Sequence, residues 1–410
     1  MANAGLGFRT AETLRTPRKS NEVIILNKSS VTPVSLCEDA SAENPEALIQ
    51  DGARQMTICN ACRYCEGYCA VFPAMEQRRI FSKADLVYLA NLCFDCRDCY
   101  YACQYAPPHE FAMNVPKLMS ELRADTYREY SWPALLSGLF KRNGLAASVI
   151  TACALLAIAL LVWGGGGSTA LFGIHLGAGA FYRVVPYAAM TLPPLIIALY
   201  GFAVLLVGAL RFWRETQGGL REMIDVAALW RATKDAFGLA YMKGGGAGCN
   251  YPDAAFSNSR RWFHHLVFYG FLLDFASTSV AAFYDHFLGW QAPYPLLSWP
   301  VVLGTVGGIG LLIGTSGLMI LKWRSDRDPT AEPMLSMDVV FLVILFLTSF
   351  TGILLLALRE TAAMGTLLVV HLALVAGLFI TMPYGKFAHV VYRYAALVRY
   401  AIEARRAESS

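Results

Sequence analysis

The chain has 410 residues, 56% of them hydrophobic and only 16% charged, with a mean hydropathy of +0.43. A water-soluble protein of this length carries about a quarter of its residues charged, so the composition argues against a wholly soluble fold. The net charge of +4 is too small to suggest nucleic-acid binding, and where the charge sits says more than its size.

Residues 1–50 are expected to form an arm, partly disordered or used for docking. They hold Arg15-Thr-Pro-Arg-Lys19 and a Ser/Glu/Ala-rich stretch, with no apolar segment of the secretory type. A two-cluster domain is expected over 51–128, where eight of the eleven cysteines fall into two copies of one spacing. Cys59, Cys62, Cys65 and Cys69 read C-x2-C-x2-C-x3-C, and Cys93, Cys96, Cys99 and Cys103 repeat it 34 residues later. Three thiolates at this spacing wrap one iron–sulfur cubane, and the fourth ligates the cluster of the other copy. Cys59, Cys62, Cys65 and Cys103 are therefore predicted to hold one [4Fe–4S] cluster, and Cys93, Cys96, Cys99 and Cys69 the other. Paired zinc sites favour C-x2-C pairs with longer gaps between them. A disulfide framework belongs to an oxidising compartment, for which no signal segment is seen.

Tyr130-Ser-Trp-Pro133 and the Leu135, Leu136, Leu139 and Phe140 that follow predict an interfacial helix over 129–143. The membrane domain is expected over 144–393. Its six apolar runs, each near the 20 residues a bilayer requires, are Leu145–Trp163, Ala188–Leu210, Trp262–Phe283, Trp299–Leu321, Val339–Leu358 and Met364–Met382. The loop 211–261 holds eight Lys/Arg, the turn after the fourth run holds Lys322, Arg324 and Arg327, and a tail is expected over 394–410. The opposite side holds only Arg183 and Arg359. The positive-inside rule then places both termini and the cluster domain in the cytoplasm, with the spans in the inner membrane. Glycines in the fourth run, such as Gly304/Gly308 and Gly310/Gly314, predict close helix packing. Gly244-Gly-Gly-Ala-Gly-Cys249 lacks the strand and helix of a nucleotide site and reads as a flexible turn, with no catalytic role for Cys249.

Five histidines lie in or near spans: His264, His265, His286, His371 and His389. His371 stands in the unbroken apolar run Leu367–Val375. An ionisable residue at such a depth is a functional candidate. If one helix continues, the 18 residues from His371 to His389 make five turns and put both on one face, about 27 Å apart; Pro383 between them threatens that continuity. His286, placed just beyond the end of the third span, lies 22 residues, or about six turns, from His264. Two helices offering imidazoles at both membrane edges predict one or two b-type haems. The expected pairs are His264 or His265 with His389, and His286 with His371. Asp274, the carboxylate inside a span, is a candidate for proton delivery to a quinone or a neutral hydrogen-bonded group.

The strings Thr57–Cys69, Tyr101–Phe111, Phe263-His-His265 and Gly289-Trp-Gln-Ala-Pro-Tyr-Pro295 resemble the tricarballylate utilization protein B family, also called citrate utilization protein B. Neither Cys69 nor Cys103 is directly followed by the proline of small bacterial ferredoxins; Pro73 and Pro107 come later. The resemblance implies an electron-transfer protein that reoxidises a separate FAD-dependent dehydrogenase, tricarballylate dehydrogenase, and passes electrons into the membrane. The expected fold is mainly α: an α-helical ferredoxin-like 2[4Fe–4S] domain on a six-helix transmembrane bundle of cytochrome b type. Quinone is the expected acceptor, which would make the chain a quinone reductase component with substrate chemistry on its partner. The rival readings are a subunit of a heterodisulfide-reductase-like or succinate-dehydrogenase-like complex, and a membrane-bound redox sensor. A transporter fits least, since no inverted repeat is visible.

Overall fold

The computed structural model describes residues 45–139, 142–216 and 218–409; the predicted arm lies almost entirely outside the described residues. Five helices build the N-terminal domain: α1 (Pro45–Cys62), α2 (Val71–Glu76), α3 (Lys83–Leu92), α4 (Asp98–Tyr101) and α5 (Val115–Tyr130). Local chemistry sets their ends. Ser82 and Asp85 form a capping box at α3, each side chain accepting from the other's backbone N–H. Asn114 caps α5 through Lys117 N, with Pro116 in the first turn. Met56, Leu86, Tyr88, Leu89 and Met119 are fully buried between these helices.

The expected interfacial helix is divided. α5 runs on through Tyr130, the chain breaks at Ser131–Pro133, and only α6 (Ala134–Leu139) follows. Pro133 has no N–H to donate and pushes Trp132 away from helical backbone, which explains the break. Leu135 on α6 is 85% exposed.

Among the described residues, six helices are long and apolar enough to cross a membrane. They are α7 (Asn143–Phe172), α9 (Tyr187–Glu215), α11 (Ser259–Leu288), α12 (Trp299–Trp323), α13 (Glu332–Leu358) and α14 (Met364–Thr381), with short α8 (Ala180–Val184) after α7 and α10 (Val226–Phe237) before α11. α11 and α12 pack backbone to backbone. A Cβ on Gly307 would stand 2.8 Å from Gly270 O, and one on Gly314 would stand 2.8 Å from Phe263 O. The glycines therefore act as packing surface.

The structure changes the reading at the C-terminus. The helix expected to join His371 to His389 ends at Thr381. Two 3-10 turns, Met382–Tyr384 and Lys386–Ala388, follow, and α15 (His389–Ser409) begins afresh. Pro383 cannot continue the ladder, so the argument from five unbroken turns lapses. Nor is 394–410 a tail: α15 buries Ala396, Leu397, Val398, Ala401 and Ile402, packing on α3, α9 and α10. His286 likewise lies inside α11, which runs on to Leu288 before Gly289 (φ 67°) ends it.

Glu403 fastens α15 to the cysteine-bearing domain. Its carboxylate accepts from Arg78 Nη2 at 2.6 Å, Tyr88 OH at 3.0 Å and Arg399 Nε at 3.0 Å. Glu403→Ala leaves two mostly buried guanidinium groups short of a partner, a loss of about 3–5 kcal/mol for a broken buried pair. A melting scan of the purified protein in detergent should show a lower midpoint, and limited proteolysis should release the C-terminal helix. An unchanged melting profile would count against this fastening.

Candidate metal centres

Cys59 and Cys62 lie in the last turn of α1, three residues apart and so on one face. The chain then turns through Arg63 (φ 53°) and Gly67 (φ 89°), carrying Cys65 and Cys69 round before α2. In the second motif Asp95 (φ 54°) and Arg97 (φ 69°) flank Cys96. Left-handed backbone is rare for such residues and persists where surroundings fix it. Arg97 is fixed by Ser325 Oγ at 2.7 Å, Thr330 Oγ1 at 2.9 Å and the Tyr251 ring at 4.6 Å.

Electrostatic coupling sorts the eight thiols. Burial, then repulsion from Cys65, Cys103 and Cys62, pushes Cys59 up to about 12. Burial, then Cys103 and Cys62, does the same to Cys65. Cys69 is also raised to about 12, by burial and then by Cys93. Cys99 is raised by burial, then by Cys93 and Cys69, with Cys65 and Cys59 weaker. The structure thus brings Cys103 to the first motif and Cys69 to the second, with the two sets adjoining. Thiols so raised stay protonated at neutral pH unless a cation draws off the proton, as a metal centre does. Among the described residues no three His, Cys, Asp or Glu converge on a single-ion site. Eight thiols in two neighbouring groups are the donor chemistry of iron–sulfur clusters.

The two sets differ in depth. Cys59, Cys62, Cys65 and Cys103 line a surface pocket beside Tyr64, which is 66% exposed, and of the second set Cys99 reaches the same pocket. Cys93 and Cys96 are buried, and the Cys93 carbonyl accepts from both Arg123 and Arg393, the latter at 2.7 Å.

The histidines separate as clearly. His264 on α11 meets His389 at the start of α15, ring centroids 6.4 Å apart and planes at 88°. His389 Nδ1 lies 2.6 Å from Lys386 O. A carbonyl only accepts, so Nδ1 carries the proton and Nε2 keeps its lone pair, the usual state of a metal-ligating imidazole. Burial, then Lys386 and Arg393, holds His389 well below the ordinary range and therefore neutral. His264 Nδ1 is buried without a partner among the described residues. A metal about 2 Å from each of two facing nitrogens sets ring centroids about 6 Å apart, so this pair suits bis-imidazole ligation. His265 instead packs on Trp262 and Tyr269.

The other expected pair is not assembled in the same way. His286 is half-exposed, with its ring nitrogens at Ala282 O (3.0 Å) and Tyr187 OH (3.2 Å). His371 Nδ1 lies 3.1 Å from Thr351 Oγ1 on α13. Asp274 abuts Gly307 of α12, and its Oδ1 has no hydrogen-bond partner among the described residues. The basic loop spends part of its charge internally: Arg260 donates to Asp95 O and Arg261 to Gly238 O. Arg211, Arg214, Arg221, Lys234 and Lys243 remain exposed. Sequence reasoning missed Arg123 and Arg393, for which no local motif exists.

Crossed ligation makes a sharp expectation. Cys62→Ser and Cys103→Ser should each lower iron from about eight to about four per chain and leave the same residual electron paramagnetic resonance (EPR) signal. Cys69→Ser and Cys93→Ser should leave the other. A Cys103→Ser protein whose spectrum matched that of Cys93→Ser would reverse the crossing.

The family model described as citrate utilization protein B matches residues 138–410, and the model of the citrate utilization protein B Fer4-like domain matches residues 52–129. Citrate utilization protein B of Escherichia coli is 47% identical over 371 residues, spanning 89% of this chain and 94% of that protein. No solved structure matches. With both halves matched and a relative of this identity along nearly the whole length, the chain belongs to the citrate utilization protein B family.

Proposed function

We propose that this protein is a membrane-anchored electron-transfer component. It takes electrons from a cytoplasmic FAD-dependent dehydrogenase, tricarballylate dehydrogenase or a similar enzyme, and delivers them to quinone in the inner membrane. Two [4Fe–4S] clusters and b-type haem, when bound, supply its one-electron carriers, the haem giving the bundle its cytochrome b character. The family membership and the Fer4-like domain support an iron–sulfur role in citrate or tricarballylate use. The observation that carries the rest is Arg393. It donates to the carbonyl of Cys93 and stands beside His389, so the buried cysteine set and the His264–His389 pair share one side chain.

The residues suggest an order. The first cysteine set, near the surface by Tyr64, is the entrance, and the second, buried against the bundle, is the relay. Arg123 and Arg393 place positive charge where an arriving electron adds negative charge, which favours the reduced state. His264 and His389 would hold the haem we infer, and Asp274 would carry a proton at mid-membrane. The exposed Lys/Arg of loop 211–261 would steer an acidic partner, an attraction weakened by salt. Their excess over the far side is what argues for the cytoplasmic orientation.

The histidine assignment is tested by a reduced-minus-oxidised spectrum. His264→Ala and His389→Ala should each abolish low-spin b-haem absorbance while the iron–sulfur signals persist, and His265→Ala should leave both. Full haem in His264→Ala would end this assignment. In liposomes holding quinone, reduced flavoprotein should drive quinone reduction only from the side bearing the cysteine domain, and Cys93→Ser should stop it. Undiminished reduction without the clusters would leave the domain a sensor or scaffold.

A further inference from the structure

The 3-10 turn Lys386–Ala388, which presents His389 to His264, is held from outside. A turn of three residues makes few bonds of its own, and poorer ones than an α-helix. Asp338 of α13 supplies the hold. Its Oδ1 lies 2.6 Å from Lys386 Nζ, and its Oδ2 pairs with Lys322 Nζ at the end of α12. All three side chains are largely buried, and Asp338 stands one residue before the fifth apolar run, where an unpaired carboxylate is costly. Met334, one turn before Asp338 on the same face of α13, places its Sδ 3.2 Å from Lys386 Nζ. Phe341, three residues after Asp338, meets the Phe387 ring at 6.2 Å, and Phe271 of α11 meets it at 5.3 Å. One face of α13 thus grips two consecutive residues of the turn. The carbonyl of the first, Lys386 O, lies 2.6 Å from His389 Nδ1.

We propose that Asp338 is a positioning residue for the haem site: by holding Lys386 it sets the direction of the His389 imidazole and the strength of its Nδ1–H bond to Lys386 O, and so lowers the haem's reduction potential. This rests on the reading that His389 is an axial ligand. A carbonyl that accepts from the remote nitrogen of a ligating imidazole fixes the ring's orientation and makes the ligand more basic. A more basic ligand favours the oxidised, more positive iron, and such hydrogen bonding is one of the protein's levers on haem. Lys386 O belongs to the residue whose ammonium group Asp338 holds, so the ion pair and the histidine bond share one residue's covalent frame. Charge alone would act differently. The Lys386 cation favours reduced iron and the Asp338 anion favours oxidised iron, so removing each would move the potential in opposite directions. Loosening the turn moves it upward in both cases.

The test uses the full-length protein in detergent, with haem and iron assays, a redox titration of the b-haem absorbance and low-temperature EPR of the low-spin haem. The proteins compared are wild type, Asp338→Asn, Asp338→Glu and Lys386→Met. Asp338→Asn and Lys386→Met should both raise the haem midpoint, by up to about tenfold in the reduction equilibrium, about 59 mV for one electron. Both should also shift the low-spin g values, which report the angle between the two imidazole planes, while the iron–sulfur signals stay. Asp338→Glu, which restores the carboxylate, should recover part of each shift. A midpoint that falls in Lys386→Met while it rises in Asp338→Asn would reduce the effect to charge and overturn the proposal. Unmoved midpoints and g values at full haem would overturn it equally. Where Asp338→Asn sheds its haem, Lys386→Met, which leaves Asp338 paired with Lys322, decides by the same sign. Wild-type protein without b-haem would instead bring down the assignment of His389, and this proposal with it.

Discussion

The second cysteine motif is bound to the membrane bundle by arginines that give their charge to backbone carbonyls, and the rest of the arrangement follows from that. Arg123 and Arg393 converge on Cys93 O, Arg260 on Asp95 O, and Arg97 on Asp326 O. They come from four different helices or their flanks. A carbonyl satisfies the N–H donors but only a fraction of the charge, and cations so deep need an anion nearby. Cluster thiolates would supply it. The collar and a cluster there would thus stabilise each other, and the join between the two halves of the molecule sits where electrons would have to cross.

How far the sequence could be read depends on the range of the interaction. The cysteine spacing is local chemistry, and it groups Cys103 with the first motif and Cys69 with the second, as the folded chain does. Span length is equally local, since the bilayer sets it: five of the six apolar runs lie within long helices, and the sixth overruns α14 by one residue, Met382. The choice between His264 and His265 could not be read in advance. Neighbours on a helix point about 100° apart, and only the packing of α15 shows which one faces His389. α15 itself looked like a tail because Arg399 and Glu403 dilute its apolar face, and the groups that Glu403 binds outside its own helix, Arg78 and Tyr88, lie hundreds of residues upstream.

Pro383 shows a local signal whose effect reaches far. It ends α14, and in the 3-10 turns that follow Lys386 O is placed to accept a hydrogen bond from His389 Nδ1. The break that spoils the face-matching of His371 and His389 is what orients His389 toward His264.

The fastening of α15 also sets a timetable. Glu403 is 325 residues from Arg78, and at ribosomal speeds that interval lasts on the order of tens of seconds. The cysteine domain emerges before the segments that cover it, since both α15 and the strand bearing Cys249 arrive from later parts of the chain. For that interval its thiols remain open to whatever machinery loads iron. Closure over these thiols therefore follows synthesis of the spans, because α15 comes after all six of them in the chain.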